Sequence, residues 1–257
     1  VGVERSAANS VSSRAFFLTG NTIRSRVHFF PSAGTTAGHY PVICELTVFG
    51  KGIERRSVSL DGGRLNQPDG IRLEDAFPSL ASEPAGLIGL EVRLSCPQGR
   101  INLLSSSVVV ELVSPQFSVV FGFAPFMAVP SASEEESRAG IDRELRDIPV
   151  GMAVQDALGI PSLVAINASS ELERPELRCV ARGIESPLHV GTVAGESVAE
   201  FSLDELLCKD GVRHQALWGD TVVEKFWQGS SEVSDRLSWY MLYRDPVSKR
   251  PLSVCAL

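Results

Sequence analysis

The chain has 257 residues, of which 44% are hydrophobic and 21% charged, a composition that belongs to packed globular proteins and excludes disorder. Its net charge is −7, and no basic stripe of the kind that tracks phosphates is visible. Nucleic acid is therefore not expected as a partner, and anionic membrane surfaces are disfavoured.

The opening, VGVERSAANS, shows no basic segment followed by an apolar run, so no signal peptide is expected there. Strand signals follow in short runs rich in β-branched and aromatic residues: RAFFLTG at 14–20, RSRVHFF at 24–30 and YPVICELTVFG at 40–50. Turn clusters separate them, among them PSAGTTAG at 31–38, DGG at 61–63 and PDG at 68–70. RLEDAF at 72–77 predicts a helix of one or two turns, with carboxylates early, where the positive helix end favours them. LIGLEVRLSC at 87–96 and SSVVVELV at 106–113 read as further strands. The stretch FSVVFGFAPFMAVP at 117–130 is shorter than the ~20 residues of a membrane-spanning helix and contains Gly122 and Pro125. It reads as a buried strand that runs into a connection, and no membrane insertion is expected.

A polar segment, SEEESRAGIDRELRDI at 133–148, divides the chain nearly in half. The halves repeat one order of elements: strand, strand, single-turn helix, strand, turn, strand. In the second half these are LRCVARGIES, VGTVAGES, SLDELL, LSWYMLYRD and PLSVCAL. The expected fold is mostly β: two tandem antiparallel β-sandwich-like domains, 14–130 and 150–257, each with a short single-turn helix, joined by a linker at 131–149. In RLSWYMLY the odd positions Leu237, Trp239, Met241 and Tyr243 form one apolar face, the period of a half-buried strand.

The polar chemistry is sparse. Cys44, Cys96, Cys179, Cys208 and Cys255 are odd in number and contain no CxxC, so they are expected to be reduced and mostly buried, in the cytoplasm ahead of the periplasm or a secreted setting. His28 and His39 flank one loop, but none of the four histidines has the close spacing of zinc or iron ligands. No metal, no cofactor and no catalytic residue is expected. Only Lys51, Lys209, Lys225 and Lys249 are lysine among the 24 basic residues. That arginine bias fits a GC-rich, bacterial coding sequence, and the arginines look dispersed.

All three tryptophans and two of the three tyrosines fall in the last forty residues. Such rings are enriched where a surface is buried on binding. Trp218, Trp227 and Tyr240, rimmed by Arg213 and His214, are therefore the candidate binding residues. Tyr240 is expected to point away from the core that Trp239 fills. The expected function is a non-catalytic binding or scaffolding protein whose partner is another protein. The alternatives are a small-molecule sensor with an interdomain site and an enzyme without a recognisable motif. The sequence does not specify an oligomeric state.

Overall fold

The structure, a computed structural model, describes residues 10–20, 22–30, 42–60, 65, 67–96, 101, 108–124, 127–128, 150–153, 159–175, 177–181, 184–188, 190–209, 221–225 and 237–256. They fall into two compact units, Val1–Glu135 and Glu136–Leu257. Both are mostly β, and every strand pair is antiparallel.

The N-terminal unit begins with β1 (Ser10–Thr19), β2 (Arg24–Phe29), β3 (Ile43–Gly50), β4 (Ile53–Leu60) and β5 (Ile71–Arg72). Helix α1 (Leu73–Ala76) and a 3-10 turn (Pro78–Ser82) follow, then β6 (Gly86–Ser95), β7 (Val108–Ser114), β8 (Phe117–Gly122) and β9 (Met127–Ala128). The strands form two sheets, ordered β4-β3-β6-β1-β9 and β5-β2-β7-β8. Phe16 of the first sheet stacks on Phe121 of the second, with ring centroids 5.1 Å apart. Ser13 Oγ donates to Ala124 O beside them. The helix is pinned from both sides: its Leu73 is fully buried, and Glu74 accepts the Ser25 N–H at 3.4 Å.

The C-terminal unit contains β10 (Val150–Ala153), β11 (Ile160–Asn167), β12 (Leu177–Ala181), β13 (Ile184–Leu188) and β14 (Ser197–Ser202). Then come helix α2 (Leu203–Lys209), β15 (Thr221–Lys225), β16 (Leu237–Arg244) and β17 (Pro251–Ala256). Its sheets read β13-β12-β15-β10 and β14-β11-β16-β17. One apolar cluster joins Leu163, Trp239, Met241 and Tyr243 to Leu177 of the other sheet and to Leu203 and Leu206 of the helix. Fully burying each such side chain contributes about 2 kcal/mol.

Strand for strand the two orders are the same. The first eight strands of each unit correspond in sequence, the helix follows the fifth in both, and β9 is an addition to the first. The correspondence extends to single rungs. Ile71, Val27, Val110 and Phe121 lie side by side across the second sheet of the N-terminal unit. Phe201, Leu163, Met241 and Cys255 do the same in the C-terminal unit. The closing hairpin turns match as well. Ser114 Oγ accepts the N–H groups of Gln116 and Phe117 at 3.2 Å. Asp245 Oδ1, at the equivalent position, accepts those of Val247 and Ser248 at 3.0 and 2.6 Å. These hydrogen bonds hold the Asp245 carboxyl below its usual value, the Ser248 backbone contributing most.

One alignment and one helix length expected from sequence change. LSWYMLY corresponds to the seventh strand (Val108–Ser114) and not to LEVRLSC, whose counterpart is β15. The expected single turn at SLDELL is a longer helix, Leu203–Lys209. β16 is also not half-buried: Tyr240 and Leu242, on the face opposite Trp239, are as inaccessible as Met241. The short helix expected at IDREL lies outside the described residues.

Candidate functional site

Alternation along β2 sends Ser25 and Val27 to the core, both buried, and Arg24, Arg26 and His28 to the opposite face. The ladder then completes that outer face. Arg72, the last residue of β5, stands directly opposite Arg26. On the other side Arg26 faces Glu111 of β7, and Glu111 faces Val120 of β8. Three arginines, a histidine and one carboxylate thus share one sheet surface.

His28 and Glu111 are a pair, with Nε2 and Oε2 2.8 Å apart. Ser118 Oγ donates to the other carboxylate oxygen at 2.9 Å. Partial burial by itself would raise the Glu111 carboxyl. The His28 and Ser118 hydrogen bonds, with the His28 and Arg26 charges, outweigh it and hold the carboxyl below its usual value. The imidazole is seated against Gly70, which has φ +68. A Cβ at that glycine would collide with the ring, so position 70 needs glycine for its backbone and for its neighbour.

The single carboxylate is therefore engaged by His28, and the arginines exceed it. Arg24 and Arg72 are exposed, and Arg26 Nε has no hydrogen-bond partner among the described residues. Like charges directly opposite each other in a sheet are destabilising. In the C-terminal unit the rung equivalent to Arg26–Arg72 is Ser162–Ser202, with Ser162 buried. The same fold forms with two hydroxyls in that place.

The other N-terminal sheet also carries arginines beside a carboxylate, with Arg14 directly opposite Glu91. Glu91 pairs with Arg55 at 2.6 Å and with Arg14 at 3.7 Å. Arg55 also lies over the Phe49 ring, 5.5 Å from its centroid, and that ring occupies the space a Cβ on Gly89 would need.

Of the residues singled out from sequence, Trp218, Trp227, Arg213 and His214 lie outside the described residues. Tyr240 does lie on the strand face opposite Trp239, as expected. It is nevertheless 0% exposed, paired in the ladder with Val164 and Ala256. A ring that is already buried has no surface to offer a partner, so Tyr240 leaves the candidate set. Among the thiols, Cys44 and Cys96 are buried and free. Burial, helped by Glu45, pushes the Cys44 thiol up to about 12, which leaves it inert at neutral pH. His39, His189 and His214 lie outside the described residues. Among the described residues no three metal-ligating side chains come together, and no helix is long and apolar enough to cross a membrane.

The cationic face was missed because Arg72 lies far along the chain from Arg24 and Arg26. The arginines look dispersed in sequence, and only strand pairing gathers them. The legible part of the signal was the alternation of Arg24, Arg26 and His28 within RSRVHFF. No protein family matches the chain, and no curated protein is significantly similar to it.

Proposed function

We propose that this chain is a non-catalytic binding or scaffolding protein that acts through protein–protein contacts, and that the face built by Arg24, Arg26 and Arg72 receives an acidic segment of its partner. The observation that carries the reading is the opposed Arg26–Arg72 pair beside its counterpart, Ser162–Ser202. The arginine pair costs stability and the fold does not require it, which is what a surface kept for binding looks like. Guanidinium groups present planar forks that match carboxylates two bonds at a time. Along β2 the side chains on one face repeat every ~6.6 Å, the same repeat as alternate side chains of an extended peptide. An extended acidic strand therefore suits the face.

A fluorescent peptide of alternating Glu and Val, with an oligonucleotide of equal charge as comparison, tests this. Wild type should bind the peptide saturably and more weakly at higher salt. The double variant Arg26→Ser, Arg72→Ser should weaken it at least about tenfold, roughly 1.4 kcal/mol. Equal affinity of the double variant for the peptide, or a preference for the oligonucleotide, overturns the reading.

A second contact surface is proposed around Trp218 and Trp227, with Arg213 and His214, on the strength of the aromatic skew toward the C-terminus. Trp218→Ala should leave thermal stability nearly unchanged. A melting temperature lower by many degrees would make the ring part of the core and remove this surface.

A further inference from the structure

Each unit ends its second sheet on an edge strand, β8 in one and β17 in the other. Edge strands offer unpaired N–H and C=O groups, and proteins commonly blunt them with charge, proline or a bulge. β17 has such devices: it starts at Pro251, directly after Lys249 and Arg250, and its ladder shifts register between Tyr243 and Arg244. β8 has none. Its sequence, FSVVFG, contains no charge and no proline, its ladder with β7 runs without a break, and Val120 at its centre is 58% exposed.

The direction of its free groups can be read from the ladder. The Phe123 N–H donates to Val108 O at 3.4 Å, so by alternation Phe117, Val119 and Phe121 direct their backbone groups to β7. Those of Ser118, Val120 and Gly122 point to the open edge, where no strand pairs among the described residues.

We infer that this edge is a self-association site: β8 pairs antiparallel with β8 of a second copy, Val120 opposite Val120. That register is the one in which every outward N–H and C=O of Ser118, Val120 and Gly122 meets a partner, Ser118 with Gly122 on either side of the central rung. It sets Val119 beside Phe121 on the core face and keeps the two core faces continuous. A two-fold axis normal to the sheet relates the copies, which is the isologous arrangement common in dimers. No charge on β8 opposes a like charge. The nearest arginines, Arg26 in each copy, lie five strand spacings apart, about 24 Å at ~4.8 Å each, well beyond the ~8 Å screening length at physiological salt. The same axis leaves both cationic faces on one side of the joined sheet, so a dimer would be bivalent for acidic segments. The pairing itself rests on β8 alone and does not depend on what those faces bind.

The test is the whole chain with one cysteine added at Val120 or, for comparison, at Val247, which is 89% exposed in the β16–β17 turn. Under copper–phenanthroline oxidation Val120→Cys should cross-link to a covalent dimer much faster than Val247→Cys. Sedimentation equilibrium of wild type should show a monomer–dimer equilibrium in the micromolar range. Val120→Pro, which removes an outward N–H, and Val120→Lys should both be monomeric, with circular dichroism unchanged. Cross-linking of Val120→Cys no faster than of Val247→Cys, a wild type that stays monomeric throughout that range, or both edge variants remaining dimeric would each overturn the inference.

Discussion

On the outer face of the second sheet, the N-terminal unit places His28 and Glu111 where the C-terminal unit places Val164 and Leu242. The first pair is polar and partly solvated; the second is fully buried. One rung arrangement, repeated twice in the chain, thus supports a hydrogen-bonded polar pair in one unit and packed hydrocarbon in the other. The backbone ladder and the core-facing rung, Val27–Val110 in one and Leu163–Met241 in the other, are what the two units share. The outer face is free to vary, because hydrogen bonding along the strands does not depend on it. That freedom is why the Arg26–Arg72 opposition can be read as functional and not as architectural.

The comparison can be broken first at its apolar side. Leu242→Ala should destabilise the C-terminal unit by about 2–5 kcal/mol, the cost of a cavity at a buried site. Glu111→Gln, at the equivalent position, should cost no more than about 1 kcal/mol, since a partly exposed pair contributes little. Denaturant midpoints of the two variants decide, and equal losses would mean that the faces are not so different.

A smaller effect of opposite sign is expected at the arginine rung. Importing the C-terminal residues as Arg26→Ser with Arg72→Ser removes an opposed like-charge pair and should raise stability by a few tenths to about 1 kcal/mol. The gain should shrink as salt screens the repulsion. A double variant less stable than wild type would show that the arginines hold the sheet together.

The smallest effect concerns pH. The Glu111 carboxyl is held below its usual value in the folded chain, against ~4.3 when unfolded. Its contribution is therefore fully present above the unfolded value and is lost as pH falls through the lower folded value. The stability difference between wild type and Glu111→Gln should narrow as pH falls below about 5. A difference that instead grows below that pH would contradict the lowered Glu111 carboxyl.

What could be read from the sequence were the features coded by near neighbours. RSRVHFF, SSVVVELV and RLSWYMLY show strand character within a few residues. RLEDAF and SLDELL show helix starts by their early carboxylates, and their places in the repeated order followed. β11, IPSLVAIN, gave no alternating signal because both of its faces are buried, Leu163 and Ala165 on one and Val164 and Ile166 on the other. A strand without a solvent face loses the period of two by which strands are recognised. Tyr240 went wrong for the same reason: alternation correctly assigned its side of the strand, but whether that side meets water is not a local property. Nor is the gathering of Arg72 beside Arg26, which depends on β5 pairing with β2 across a long stretch of chain. Local periodicity determined which segments are strands. The pairing and layering of those strands decided which faces are wet, which charges are opposed and which edge is unpaired among the described residues, because each depends on residues brought together only by the fold.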